Sequence, residues 1–165
     1  MCDAEPATED IRLFLGDEGG VPFGTFSNLE LAVAPLSLAW AMNAGMYHPD
    51  RQPVGLYIED GKELSRVVTR EGPGNFGLLP NGVLCLGDRR AEVIESREFA
   101  ARKPGCRYAT QSGPMLVIDG AIHPRFLENS DSLFIRNGVG VTRDGTLVAA
   151  ISNDEQLRQA ISQPS

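Results

Sequence analysis

The chain has 165 residues, of which 42% are hydrophobic and 22% are charged, and its formal net charge is -7. This length and composition are typical of one soluble globular domain, and no apolar run reaches the ~20 residues that cross a bilayer. The acidic balance argues against a nucleic acid as partner, because a nucleic-acid backbone requires a basic protein face, but it allows a small anionic ligand held by one or two arginines.

The N-terminal part of the chain alternates between short elements and loops. Residues 10–24 predict a strand, a glycine-rich turn and an extended return. Ser27 and Glu30 stand in the register of a capping box and predict a short helix, which Pro35 ends because proline cannot continue it. The apolar stretch 36–43 then predicts a buried strand that leads into a polar loop.

The rest of the chain has the pattern of a β-protein. Its Asp-Gly turns and the total of 18 glycines and 11 prolines favour short strands over a helix bundle. Ser96 is expected to cap a short helix in which Glu98 and Arg102 are four residues apart. The predicted elements are hairpins at 54–69, 82–95, 115–123 and 138–152 and helices at 96–103 and 153–162. Together they predict a single α+β domain over residues 1–165, with a largely antiparallel or mixed sheet.

The three cysteines are Cys2, Cys85 and Cys106. No pair has a C-x-x-C or zinc-like spacing, so neither a metal nor a redox cofactor is predicted. The acidic start of the chain lacks the apolar segment of a signal peptide. Localisation therefore stays open between the cytoplasm and a mature chain whose leader has been removed.

Four segments combine a strand end with polar side chains: 41–51, 72–83, 109–115 and 132–141. Asn43 follows the apolar stretch and precedes Ala-Gly, so it either contributes to a site or caps a turn. His48 has the chemistry of an acid, a base or a ligand, although a half-buried histidine bonded to the backbone is the preferred interpretation. Thr110, Gln111 and Ser112 lead through Gly113-Pro114 into an apolar run that predicts a core strand.

Arg136 is the most informative single residue. It lies in a strand-like run without an acidic neighbour in sequence, and a buried guanidinium requires an anion or several acceptors. It either pairs with a distant carboxylate or binds a phosphate or carboxylate ligand, and its planar fork suits phosphate.

Six carboxylates are candidates for general acid or base chemistry. Three of them precede a glycine, and turn formation is the preferred interpretation of those three. The candidates are Glu59, Asp60, Asp119, Glu128, Asp131 and Asp144.

A series of motifs in fixed order resembles the phosphodiester glycosidase family, and in particular its small bacterial branch. The motifs occupy 41–61, 72–83, 109–120, 123–126 and 135–141. The resemblance implies a hydrolase that cleaves between a sugar anomeric carbon and a phosphodiester, with a sugar phosphodiester or glycan as its partner. The leaving phosphate requires hydrogen-bond donors or a cation, and the sugar side requires a carboxylate or a positioned water.

The resemblance also implies a set of site residues without a metal or cofactor. The expected catalytic residues are Asn43, Gln111, Ser112 and Arg136, and the expected substrate-binding residues are His48, Asn75, Thr110 and Asn137.

One departure from the family pattern affects these expectations. Family members continue with a further helix and a strand that ends in a Leu-Asp-Gly-like motif, whereas this chain ends at Ser165. The chain therefore resembles a C-terminally truncated member with weak or no turnover, whose exposed sheet edge would favour self-association. The alternatives are a non-catalytic module that binds an anion or glycan, and a structural or assembly role.

Overall fold

The computed structural model describes residues 1–126 and 134–152. Within these ranges the chain forms two short helices and ten strands, and every strand pair is antiparallel. The helices are α1 (Phe26–Val33) and α2 (Ser96–Arg102). The strands are β1 (Cys2–Ala4), β2 (Tyr57–Glu59), β3 (Lys62–Ser65), β4 (Gly82–Gly87), β5 (Arg90–Glu95), β6 (Tyr108–Ser112), β7 (Val117–Ile118), β8 (Ala121–Ile122), β9 (Asn137–Val141) and β10 (Leu147–Ile151). This architecture confirms the predicted α+β class with antiparallel sheets.

The largest sheet has five strands in the order β3-β2-β6-β4-β5. Strand β4 is buried on both faces. Successive side chains of a strand point to opposite sides, so its odd- and even-numbered residues contact different cores. Val83 and Cys85 belong to a core cluster that includes a residue of α2, whereas Leu84 and Leu86 belong to a cluster with residues of β1 and β10. The three-stranded sheet β1-β10-β9 therefore packs on one face of the large sheet, and α2 packs on the other.

The tight turns follow the predicted chemistry. Asp60 and Gly61 connect β2 to β3 with φ of 52° and 79°, and Asp119 and Gly120 connect β7 to β8 with φ of 51° and 81°. Two consecutive positive φ values characterise the primed hairpin turns that Asp-Gly favours. The hairpins β4–β5 and β9–β10 also form where the sequence predicts them.

Both described helices form, but their caps differ from the predicted ones. Helix α1 begins two residues earlier than the capping box implies, because the Thr25 hydroxyl accepts the hydrogen bond of the Asn28 N–H at 3.2 Å. Glu95 caps α2 and Ser96 is its first residue. The i,i+4 ion pair between Glu98 and Arg102 is confirmed at 3.0 Å.

Two predicted strands in the N-terminal part are wrong. Residues 36–43 form no strand, and Trp40 and Leu36 are 36% and 53% exposed. The reason is that a strand requires a hydrogen-bonded neighbour, and none of the described strands pairs with this segment. The predicted strand and return over 10–24 reduce to a single bridge between Gly16 and Pro22.

Cys85 and Cys106 form a disulfide with a Cα–Cα distance of 5.4 Å, and Cys2 is an exposed free thiol. The spacing of the cysteines in sequence did not identify this pair. Neither described helix is long and apolar enough to cross a membrane. The predicted C-terminal helix and two of the acidic candidates, Glu128 and Asp131, lie outside the described residues.

Candidate functional site

Two of the three polar side chains before the hairpin β7–β8, Thr110 and Gln111, lie inside the protein, in the central strand β6. Gln111 is 1% exposed, and its amide forms three hydrogen bonds with backbone groups. Its Oε1 accepts from the N–H of Leu56 at 3.1 Å and of Val68 at 2.9 Å, and its Nε2 donates to the Val68 carbonyl at 2.6 Å. The side chain therefore holds the segment before β2 against the segment after β3.

A glycine makes this arrangement possible. A Cβ atom at Gly55 would lie 2.5 Å from Gln111 Oε1 and 2.6 Å from Cζ of the Phe76 ring. Backbone, amide and ring therefore meet at a point where no side chain fits. Phe76 belongs to the loop that also carries Asn75, so that loop packs beside Gln111.

The loop after residue 42 is hydrogen-bonded to Thr110, the second buried polar side chain described in β6. Thr110 Oγ1 accepts the hydrogen bond of the Gly45 N–H at 3.0 Å, and a Cβ atom at Gly45 would clash with this hydroxyl and with the Gln111 carbonyl. A hydrogen bond within the loop joins two of its later residues: the His48 backbone N–H donates to the Gln52 carbonyl at 2.8 Å. His48 is exposed at its tip.

Strand β9 reaches the same loop from the three-stranded sheet. The Asn137 side-chain amide donates to the Asn43 carbonyl oxygen at 2.7 Å, although the two residues are 94 positions apart in sequence. Arg136 is exposed and precedes β9, which corrects the expectation that it lies buried within a strand. The Arg136 guanidinium lies 5.6 Å from the centre of the Phe134 ring, and the backbone N–H of Arg136 donates to the Ser152 hydroxyl.

The structure thus joins Asn43, Thr110, Gln111 and Asn137 through the loop at Gly45. Ser112 is exposed at the end of β6, opposite Gly82, while His48 and Asn75 are exposed on separate loops. The roles of these residues in catalysis or binding remain predictions. The contacts of Gln111 and Thr110 favour a positioning role for both, because their polar atoms bond to backbone.

Asn81 is a buried polar residue that the sequence analysis did not identify. It is fully buried, and its Nδ2 donates to the Phe76 carbonyl at 2.8 Å. Its Oδ1 has no hydrogen-bond partner among the described residues and lies so close to Gly113 that a Cβ atom there would clash with it. Its position between Pro80 and Gly82 was the only signal, and that pattern more often indicates an exposed turn.

His123 is a second buried group that the sequence analysis did not assign. Its Nε2 lies 3.2 Å from the Leu79 carbonyl oxygen, and its Nδ1 accepts from the Arg125 N–H at 3.2 Å. These partners fit a neutral ring with its proton on Nε2. The imidazole therefore holds the chain after β8 against the loop before β4.

The carboxylates of Glu59 and Asp60, at the end of β2, form hydrogen bonds and an ion pair within the protein. Glu59 Oε2 accepts from the Tyr57 hydroxyl at 3.0 Å and from the Leu15 N–H at 3.2 Å. Burial and the Glu59 charge raise the pKa of Tyr57 well above its ordinary value. Asp60 pairs with Arg107 at 2.8 Å, and that hydrogen bond lowers the pKa of the Asp60 carboxyl.

Turn formation accounts for the remaining acidic candidates that the structure describes. Asp119 occupies a positive-φ turn position, and Asp144 accepts a hydrogen bond from the Thr142 hydroxyl in the turn between β9 and β10. Within 1–126 and 134–152, no group of three or more His, Cys, Asp or Glu side chains is arranged to hold a metal ion.

Comparison with known proteins agrees with the motifs. The profile of a family described as phosphodiester glycosidase matches residues 37–163. The chain is 34% identical over 148 residues to the Uncharacterized protein YigE of Escherichia coli (strain K12). This match covers 89% of the chain but 58% of the relative, so the chain spans little more than half of that protein's length. No solved structure matches the chain.

Proposed function

Because the chain belongs to the phosphodiester glycosidase family, we propose that it hydrolyses sugar phosphodiesters, with cleavage between the sugar anomeric carbon and the phosphate oxygen. The observation that carries this proposal is the convergence of three family-like motifs on the loop at Gly45. That loop donates a hydrogen bond to β6 and accepts one from β9, and the two strands are distant in sequence.

The proposed reaction replaces one C–O bond by another. The C1–O bond of the sugar breaks, its electron pair leaves with the phosphate oxygen, and water adds to C1 while its proton passes to solvent or to a base. The products are a free sugar and a phosphate monoester. The leaving phosphate is a weak base, so stabilisation of its charge contributes more than protonation.

Exposed donors and buried positioning groups have different roles in this proposal. The hydroxyl of Ser112, the amide of Asn43 and the guanidinium of Arg136 are exposed and have the chemistry to bind phosphate oxygens. Thr110 and Gln111 are buried and hold the loops from which Asn43 and its neighbours extend. Asn137 fixes the backbone of Asn43 through its carbonyl oxygen.

A non-catalytic module that binds an anion or glycan is the second candidate, and the position of the carboxylates favours it. Oxocarbenium-like chemistry normally uses a carboxylate or a base for water. Of the six acidic candidates, Glu59 and Asp60 are nearest to the loop in sequence, and they bond to Tyr57 and Arg107 instead. The engagement of these two carboxylates elsewhere is the observation that favours binding without turnover.

Hydrolysis of sugar-1-phosphodiesters in water labelled with a heavy oxygen isotope tests both candidates. Cleavage at C1 places the label in the released sugar, whereas attack at phosphorus places it in the phosphate monoester. Label in the sugar supports the proposed reaction, and label in the phosphate overturns it. Saturable binding without product supports the binding module, and neither binding nor product contradicts both.

Variants of Arg136 test the anion site by calorimetric titration with a sugar-1-phosphate. A hydrogen bond to a charged group contributes roughly 1.5–3 kcal/mol, so Arg136→Lys should weaken binding of a sugar-1-phosphate about tenfold, and Arg136→Met should weaken it further. Arg143→Met is the matched control, since it removes an exposed arginine from the turn between β9 and β10. Equal binding by all three variants and the wild type would exclude Arg136 from the site.

A further inference from the structure

Strand β9 has an outer edge that no described strand covers. It is the last strand of the sheet β1-β10-β9, and its register against β10 runs without a bulge from Asn137 to Val141. Natural edges are normally protected by a charge, a proline, a bulge or a covering element. The sequence of β9, Asn-Gly-Val-Gly-Val, has neither a charge nor a proline.

The hydrogen bonds at the two ends of the hairpin show which backbone groups face outward. The Ser152 N–H donates to the Arg136 carbonyl, and the Thr142 N–H donates to the Thr146 carbonyl. In an antiparallel pair, bonded and non-bonded positions alternate, so the even-numbered residues of β9 bond to β10. The N–H and C=O groups of Asn137, Val139 and Val141 therefore point towards the open edge.

These three outward-facing residues are symmetric about Val139. We propose that β9 pairs with β9 of a second copy of this chain, antiparallel and around a twofold axis at Val139. In this register Asn137 of one copy lies opposite Val141 of the other, and Val139 lies opposite its own equivalent. The outward groups then form six backbone hydrogen bonds, two at each of three pairs.

The surroundings of β9 favour a second copy of an acidic protein over a charged partner. The chain has a net charge of -7, yet residues 137–141 and 145–151 contain no charged side chain. Two copies can therefore pair along residues 137–141 without placing like charges directly opposite each other. The same region exposes large apolar side chains that pairing could cover, with exposed fractions of 66% for Phe134, 65% for Ile135, 38% for Val139 and 65% for Ile151.

The hairpin β7–β8 extends this apolar surface. A Cβ atom at Gly138 would lie 3.5 Å from Leu116 Cδ1, so Leu116 stands directly beside β9. Leu116 and Ile122 are 58% and 73% exposed. In the proposed dimer the two Asn137 residues lie roughly 14 Å apart along the strands, at about 3.4 Å per residue, so two candidate sites become neighbours.

Sedimentation of the full chain over a range of concentrations, combined with variants at Val139, tests the pairing. Wild type should show a monomer–dimer equilibrium. Val139→Pro should raise the dimer dissociation constant at least tenfold, because proline removes an outward N–H and no bond to β10. Val139→Thr is the matched control, since it keeps the β-branched shape and the backbone donor, and it should dimerise like wild type.

A charge exchange tests the position of the twofold axis. Val139→Lys and Val139→Asp should each be monomeric, because each brings two like charges together at the axis, and an equal mixture should form a heterodimer. Thermal melts of the separate variants check that both remain folded. A wild type that stays monomeric at every concentration, a Val139→Pro variant that dimerises normally, or no heterodimer in the mixture would overturn the proposal.

Discussion

The two halves of segment 109–120 show opposite relations between polarity and burial. In β6, Thr110 and Gln111 are polar but only 8% and 1% exposed. A few residues later, Leu116 and Val117 are apolar but 58% and 53% exposed. From sequence, Thr110 and Gln111 were expected to be site residues, and the apolar run after them was expected to be a core strand. Position in the sheets, rather than side-chain polarity, decides which half is buried.

The difference teaches how a polar strand can occupy a protein centre. The polar atoms of Thr110 and Gln111 bond to backbone groups of loops that lack regular secondary structure. These loops would otherwise leave their own N–H and C=O groups unpaired, and an unpaired buried group costs more than a hydrogen bond contributes. Among the described strands, β7 and β8 pair only with each other, so neither of the larger sheets includes this hairpin.

The comparison predicts that a polar side chain in β6 cannot be replaced by an apolar one, whereas an apolar side chain on the hairpin β7–β8 can be replaced by a polar one. Gln111→Leu should lower the free energy of unfolding by about 3 kcal/mol or more, because three backbone hydrogen bonds at Leu56 and Val68 are lost. Leu116→Gln on the exposed hairpin should change it by about 0.5 kcal/mol or less. Urea unfolding of both variants measures the contrast, and similar losses in the two would contradict the distinction.

A smaller effect is expected at the glycine where the loop meets β6. Gly45→Ala should lower the free energy of unfolding by about 1–3 kcal/mol, because the added methyl group clashes with backbone and with the Thr110 hydroxyl. It should also weaken binding of a sugar-1-phosphate, since the loop must move. Gly61→Ala provides a comparison at a turn where a Cβ meets no atom within 4 Å and only the φ of 79° is unfavourable. If a destabilised Gly45→Ala variant binds the ligand with full affinity, this loop does not belong to the binding site.

Thr110 allows the hydrogen bond to be tested without a change of shape. Thr110→Val removes the acceptor of the Gly45 N–H and should lower the free energy of unfolding by about 1 kcal/mol. Thr110→Ser keeps the hydroxyl and should retain the protection of the Gly45 amide from hydrogen exchange. If the Gly45 amide exchanges equally fast in both variants, the hydroxyl does not hold the loop.

The smallest expected effect is the pH dependence of the exposed pair between Asp60 and Arg107. The hydrogen bond from Arg107, followed by its charge, lowers the pKa of Asp60 below the ordinary value of 3.8. A carboxyl with a lower pKa in the folded state stabilises the protein above its unfolded pKa, and this contribution disappears as the pH falls through the folded pKa. Asp60→Asn keeps the turn chemistry, so the melting temperature of wild type relative to this variant should decrease on acidification below 3.8. A difference that does not change with pH would show that the pair contributes nothing.

The sequence by itself determined the features that depend on neighbouring residues. The turns at Asp60 and Asp119, the end of α1 before Pro35 and the hairpins β4–β5 and β9–β10 all form as predicted. Each of them rests on local backbone preferences or on side-chain alternation over a few positions. The order of the motifs likewise identified the family that the profile match shows.

The tertiary structure alone decided the features that depend on partners far along the chain. The hydrogen bonds of Gln111 reach residues 43 and 55 positions away, and that of Asn137 reaches Asn43 across 94 positions. The disulfide joins cysteines 21 positions apart, and residues 36–43 form no strand because no described strand pairs with them. Burial and pairing are set by the other elements that pack against a segment, so the composition of the segment does not determine them.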